Sequence, residues 1–112
     1  MTPDFFGPVA RDDLAQALAW IARDDEAAAR AMLQATVRSA RRIVGRPMLG
    51  RVRPELLPAP YRFWRVAGFP YLMVYNADRR PPVVLRVLHM ARDFPPLLEG
   101  LSGPPDDDPG QS

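Results

Sequence analysis

The succession of patterns along the chain predicts an α+β domain: an N-terminal strand, then an α-helical hairpin packed on an antiparallel sheet of about four strands. Three observations carry that prediction. Apolar residues recur at helical spacing between residues 8 and 44. Aromatic and β-branched residues dominate three later segments, at 61–66, 71–76 and 83–89. The breaks between those segments are short and rich in Gly, Pro and Asp, which favours neighbouring antiparallel strands.

Residues 2–6 read as a short first strand, restricted by Pro3 to an edge or a strand start. Gly7-Pro8 then opens a helix over about 8–23, with Pro at its first position. Asp12 and Asp13 are placed in its first turn, where carboxylates meet the positive end of the helix dipole. Leu14, Leu18 and Ile21 form its apolar face. Asp24-Asp25-Glu26 has capping character and starts a second helix over about 26–44. Its expected stripe is Ala29, Leu33, Val37, Ala40 and Val44, with Met32 and Ile43 alongside. Gly45 ends it and Pro47 prevents continuation. So short a link between helices predicts a hairpin.

Pro54, Pro58 and Pro60 make 51–60 an irregular connection. Gly68-Phe69-Pro70 separates the first two meander strands, and residues 77–82 separate the second pair. Alternation puts Phe63 and Trp64 on opposite sheet faces, with Phe63, Trp64, Tyr71 and Tyr75 as core side chains. Trp20 lies off the centre of the first helix's apolar face and reads as a contact for a partner. Residues 94–101 read as a short helical turn. Residues 102–112, made of Gly, Pro, Asp, Gln and Ser, read as a disordered tail after a single domain at 1–101.

Composition excludes several chemistries. With no Cys among 112 residues, disulfides, thiolate catalysis and Cys-based zinc sites are ruled out, and one His excludes a His-rich metal site. No metal or cofactor is expected. Without an apolar run of about 18 residues, the chain reads as soluble and cytoplasmic, with no signal peptide and no membrane partner. All 15 basic residues are Arg, and net charge is only +2. Yet Arg38, Arg41, Arg42, Arg46, Arg51, Arg53, Arg62 and Arg65 share one segment whose single acid is Glu55. A body more basic than its total charge favours an acidic partner, either nucleic acid or an acidic protein surface.

The residues with most chemistry sit at the end of the last strand. His89 lies within four positions of Arg86, Arg92 and Asp93. The plain reading is structural: His89 bonds a neighbour or the backbone, and Arg92–Asp93 is a local ion pair. The functional reading is a target-binding surface made of Arg62, Arg65, Arg86, His89, Arg92 and Asp93. Arg86, flanked by Leu85 and Val87, is expected on the less apolar sheet face, where it could share a cationic surface with Arg62. If the chain is a nuclease, Arg62 and Arg86 supply the cation and His89 the proton transfer. A convincing second proton-transfer group is missing, since Glu55 stands in a Pro-rich loop.

Four segments, in order, resemble the RelE/ParE superfamily of toxins from type II toxin–antitoxin systems, a group that includes plasmid stabilisation proteins. The stretch ARDDLAQALAWI is similar to an "A..DL..I" opening. Pro47 and Gly50 in GRPMLGR match "P.lG". Arg62 to Val66 followed by FPYLMVY resembles "R.w.V..FpyLi.Y". Leu85 to Asp93 resembles "lrVlH..RD", an ending that leans towards the ParE branch. The resemblance implies a helical hairpin on an antiparallel sheet and a cognate antitoxin that neutralises the toxin. It further implies one of two growth-inhibiting targets: DNA gyrase, inhibited without catalysis, or mRNA, cleaved on the ribosome.

Overall fold

The computed structural model describes residues 5–93. Helix α1 spans Pro8–Ala22 and helix α2 spans Glu26–Gly45, followed by a 3-10 turn at Pro47–Leu49. Strands β1 (Tyr61–Arg65), β2 (Tyr71–Asn76) and β3 (Val84–His89) form an antiparallel sheet in the order β1-β2-β3. Among the described residues the sheet has three strands, and the expected fourth is not seen there. Of the segment expected as the first strand, Phe6 makes a single parallel bridge to Val84, and residues 2–4 lie outside the described residues. The turn expected at 94–101 and the tail at 102–112 also lie outside them.

Gly7 caps α1 in an extended conformation and Pro8 occupies its first turn, where a missing N–H costs nothing. Asp12 and Asp13 are not in that turn, which holds no acid. The helix starts at Pro8, so both stand a turn further in, and the dipole reading does not apply to them. Asp25 caps α2 by accepting the Ala28 N–H at 3.1 Å.

The buried face of α2 is rotated from the expected stripe. Ala29, Met32, Ala35, Thr36, Ser39, Ala40 and Ile43 are buried, whereas Leu33, Val37 and Val44 are only partly so. Small side chains let the helix approach its neighbours closely. The Thr36 hydroxyl is accommodated there because it donates to the Met32 carbonyl, one turn back, at 2.7 Å.

The sheet separates two apolar clusters. On one face, Tyr71, Met73, Tyr75, Val84 and Val87 pack with Ala10, Leu14 and Ala17 of α1 and Met32, Ala35, Ala40 and Ile43 of α2. On the other, Phe63, Leu72, Val74 and Leu88 pack with Leu57. Central strand β2 is buried on both faces, so its sequence shows no polar alternation. Leu57 belongs to 51–60, which is irregular as expected yet contributes to the core. The same segment covers part of the outer edge of β1, where Arg51 and Phe63 exchange two backbone bonds of 2.8 Å. The β1–β2 turn is closed by Phe69 N–H donating to the Val66 carbonyl, with Gly68 at φ +86°, the third turn position that demands positive φ.

One tyrosine fastens the 3-10 turn to the sheet. The buried Tyr75 hydroxyl donates to the Pro47 carbonyl at 2.6 Å and accepts the Gly50 N–H at 2.8 Å. A Cβ on Gly50 would stand 2.6 Å from that hydroxyl oxygen and 2.8 Å from the ring. Gly50→Ala is expected to destabilise the fold by about 1–3 kcal/mol through overpacking. Tyr75→Phe should cost roughly 1–3 kcal/mol by orphaning the buried Gly50 N–H and the partly buried Pro47 carbonyl. The double variant should lose less than the sum, as read from urea unfolding, because the closest clashing atom is gone. Burial also pushes the Tyr75 hydroxyl above its ordinary value of 10.0, opposed by the Gly50 N–H and the Arg62 charge. Its stabilising contribution is fully present below that ordinary value and lost as pH rises through the folded value. The alkaline fall in unfolding free energy should therefore be shallower in Tyr75→Phe.

Candidate functional site

The outer edge of β3 shows how the strand-end residues are used. The register slips between Val74 and Tyr75 of β2, leaving Leu85 as an extra residue in β3. With that bulge, the N–H groups of Val84, Val87 and His89 are the ones bonded on the side away from β2. Val84 donates to the Phe5 carbonyl at 2.7 Å, and its own carbonyl accepts Gly7 N–H at 2.9 Å. Val87 donates to Asp13 Oδ2 at 3.0 Å. His89 donates to Asp93 Oδ2 at 2.7 Å. Two carboxylates and a carbonyl thus stand where a further strand would pair, which blunts an otherwise adhesive edge.

Asp13 does more than accept that backbone bond. Arg86 grips it in bidentate fashion, Nε to Oδ2 at 2.7 Å and Nη2 to Oδ1 at 3.1 Å. Both side chains are largely buried, 12% and 15% exposed. Charge-assisted, paired bonds of this kind are among the strongest a protein makes. The Asp13 bonds hold the Arg86 guanidinium firmly protonated, helped by the Asp13 and Asp93 charges and opposed by burial. Arg86 is therefore turned to α1, and the bulge next to it breaks the simple alternation that assigned it to the other face.

His89, Arg92 and Asp93 form a tight turn. The ring nitrogen Nδ1 of His89 accepts the N–H groups of Ala91 and Arg92, each at 3.2 Å. In the neutral ring this leaves the proton on Nε2. The imidazole stands edge-on to Tyr71, 5.1 Å between centroids. Asp93 closes the turn through its own N–H, which donates to the His89 carbonyl at 3.0 Å. Its Oδ1 accepts Arg92 Nε at 3.2 Å, which raises the Arg92 pKa against a small burial effect.

The other candidates lie across the sheet. Arg62 of β1 stands opposite Tyr75, and Arg86 stands opposite Val74. Arg62 donates to the carbonyls of Gly50 at 2.8 Å and Met48 at 3.3 Å, holding the 3-10 turn beside Tyr75. Arg65 donates to the Phe69 carbonyl at 3.3 Å. The structure brings Arg86, His89, Arg92 and Asp93 together at one end of β3, and leaves Arg62 and Arg65 on β1.

Asp13 is the site residue that sequence reasoning missed. Its signal was present: it lies three positions after Ala10 and four before Ala17, both buried, so an acid occupies the sheet-facing side of α1. Asp13, Gln16, Trp20, Tyr71, Arg92 and Asp93 line a cleft of about 250 Å³ between α1 and the strand-end turn. Trp20 is 58% exposed, with the Arg23 guanidinium 5.0 Å from its ring. Among the described residues no three His, Asp or Glu side chains gather as a metal ion requires. No described helix is long and apolar enough to cross a membrane.

A family model for the ParE toxin of the type II toxin–antitoxin system parDE matches residues 5–94, from the Phe5 edge contact to just past the Asp93 turn. The chain belongs to this family. No curated protein matches it significantly. Membership makes it a type II toxin and implies a cognate antitoxin as partner. In this ParE-family chain, α1 and β3 meet at the Asp13–Arg86 clamp.

Asp13→Asn should destabilise the protein by roughly 3 kcal/mol, since it leaves a largely buried guanidinium without its counter-charge. A double-mutant cycle with Arg86→Met, followed by urea unfolding, should return a coupling of about 1–3 kcal/mol. Additive losses would mean that the pair does not act as a unit.

Proposed function

We propose that this ParE-family toxin acts by binding DNA gyrase and blocking its activity, and that its antitoxin holds it inactive in the cytoplasm. The family match supports the ParE mode of action, and the state of His89 is the observation that favours it over catalysis. RNA cleavage without a cofactor calls for a base to activate the 2′-hydroxyl, an acid for the leaving oxygen and a cation on the phosphate. The Nδ1 lone pair of His89 is occupied by two backbone N–H groups. Arg86 is committed to Asp13, and Arg62 spends its Nη1 on two loop carbonyls. The candidate catalytic set of Arg62, Arg86 and His89 serves the scaffold, which suits a binding protein better than a nuclease.

The cleft beside Trp20 and Arg92 is the surface we assign to a protein partner on this reading. Its exposed aromatic ring and exposed guanidinium are of the residue types that dominate protein interfaces.

The purified chain should inhibit supercoiling by gyrase, with inhibition relieved by the antitoxin and retained in His89→Ala. No inhibition at high molar excess, together with cleaved transcripts in expressing cells that disappear in His89→Ala, would replace this reading by ribosome-dependent mRNA cleavage.

A further inference from the structure

Where α2 lies beside β1, a groove of about 170 Å³ separates the two elements. Buried Ala35 and Ser39 and half-buried Trp64 line it, with exposed Arg38, Arg42 and Arg65 around them. None of these three arginines faces a carboxylate at ion-pair distance among the described residues; the ion pairs there use Arg53, Arg86 and Arg92. Arg42 lies over the Trp64 ring, 5.4 Å from its centroid, in a cation–π contact. Arg65 commits only its Nε, to the Phe69 carbonyl, and keeps both terminal nitrogens.

Ser39 supplies an independent observation. It is 6% exposed, yet its hydroxyl has no hydrogen-bond partner among the described residues. Thr36, on the same helix face, satisfies its hydroxyl on a backbone carbonyl. Buried hydroxyls are normally paired, and an unpaired one beside three guanidinium groups is a donor awaiting an acceptor. What fits is a small anionic group offering several oxygens.

We propose that this groove binds the phosphodiester backbone of a nucleic acid, with one phosphate held by Arg38, Arg42 and Arg65 and accepting the Ser39 hydroxyl. Exposed Arg30 and Arg41 on the far side of α2, and Arg46 just past its end, add to the positive field around the groove without lining it. A carboxylate could make the same contacts in the groove. A tetrahedral phosphate presents its oxygens in more directions than a planar carboxylate, which suits donors converging from both α2 and β1, and guanidinium groups bind phosphates in paired fashion. This site lies on α2 and β1, away from the cleft assigned above to a protein partner. Its test contains no topoisomerase, so the two readings succeed or fail separately.

Fluorescence anisotropy of labelled single-stranded and duplex DNA, titrated with the full-length chain across a salt series, tests the proposal. Binding should weaken linearly with the logarithm of salt concentration. In Arg38→Gln and Arg65→Gln the slope should fall by about 0.9 for each duplex phosphate no longer neutralised, or about 0.7 for single strands. Ser39→Ala should weaken binding by about threefold to tenfold, as removal of one hydrogen bond does. Arg79→Gln, on the β2–β3 turn, should change little. Urea unfolding of each variant establishes that the fold persists. Absence of binding at low salt would overturn the proposal, as would a salt slope unaltered in Arg38→Gln and Arg65→Gln. Poly-glutamate binding that depends on these arginines, with no oligonucleotide binding, would also overturn it and make an acidic protein segment the occupant.

Discussion

The Asp13 carboxylate joins the two layers of this protein at a single point. It receives a backbone N–H from Val87 and both arms of the Arg86 guanidinium, so α1 is fastened to β3 by three bonds in largely buried surroundings. Much of the rest follows from it. The bulge at Leu85 turns the Val87 N–H outward to meet the carboxylate. The edge that would otherwise attract another strand is closed there, with Phe5 above and Asp93 below completing the cover. Apolar contact alone would let a helix slide along a strand edge; a bidentate ion pair sets the register between them.

A second fastening works at the other side of the sheet. Tyr75 reaches from β2 to the backbone of Pro47 and Gly50, and Arg62 reaches from β1 to the carbonyls of Met48 and Gly50. Together they hold the exit of α2 against the strands. Gly50 is required here by proximity, because the Tyr75 ring occupies the space of a Cβ. The pairing explains why a Pro and a Gly three residues apart accompany a Tyr twenty-five residues later.

These fastenings divide the arginines into two groups. Arg62, Arg86 and, more loosely, Arg92 are bound to acceptors of the chain itself. Arg38, Arg41, Arg42 and Arg46 face outward from α2 without acidic partners among the described residues. Surplus positive charge is therefore gathered on α2 and its exit, while exposed Arg92 stands at the end of β3. His89 and Arg86 serve the turn and the clamp, while the surplus charge lies where a repeated helical pattern made it look like an ordinary solvated face.

Local sequence determined a good deal of this architecture. The starts of both helices, the three meander strands and the opposite facing of Phe63 and Trp64 follow from Pro placement, capping and periodicity, which act within a few residues. So does the family resemblance, carried by short motifs that the comparison over residues 5–94 bears out. What depended on tertiary structure involves partners distant in the chain. Asp13 and Arg86 are 73 residues apart, and no local rule pairs them. The rotated face of α2 follows from packing small residues close, which a count of large apolar residues misplaces. Among the described residues Phe6 bridges Val84, and the remaining outward N–H groups of β3 are met by the carboxylates of Asp13 and Asp93. Arg86 and Arg62 could be recognised as strand arginines from sequence; only the bulge and the long-range acceptors decided what each one holds.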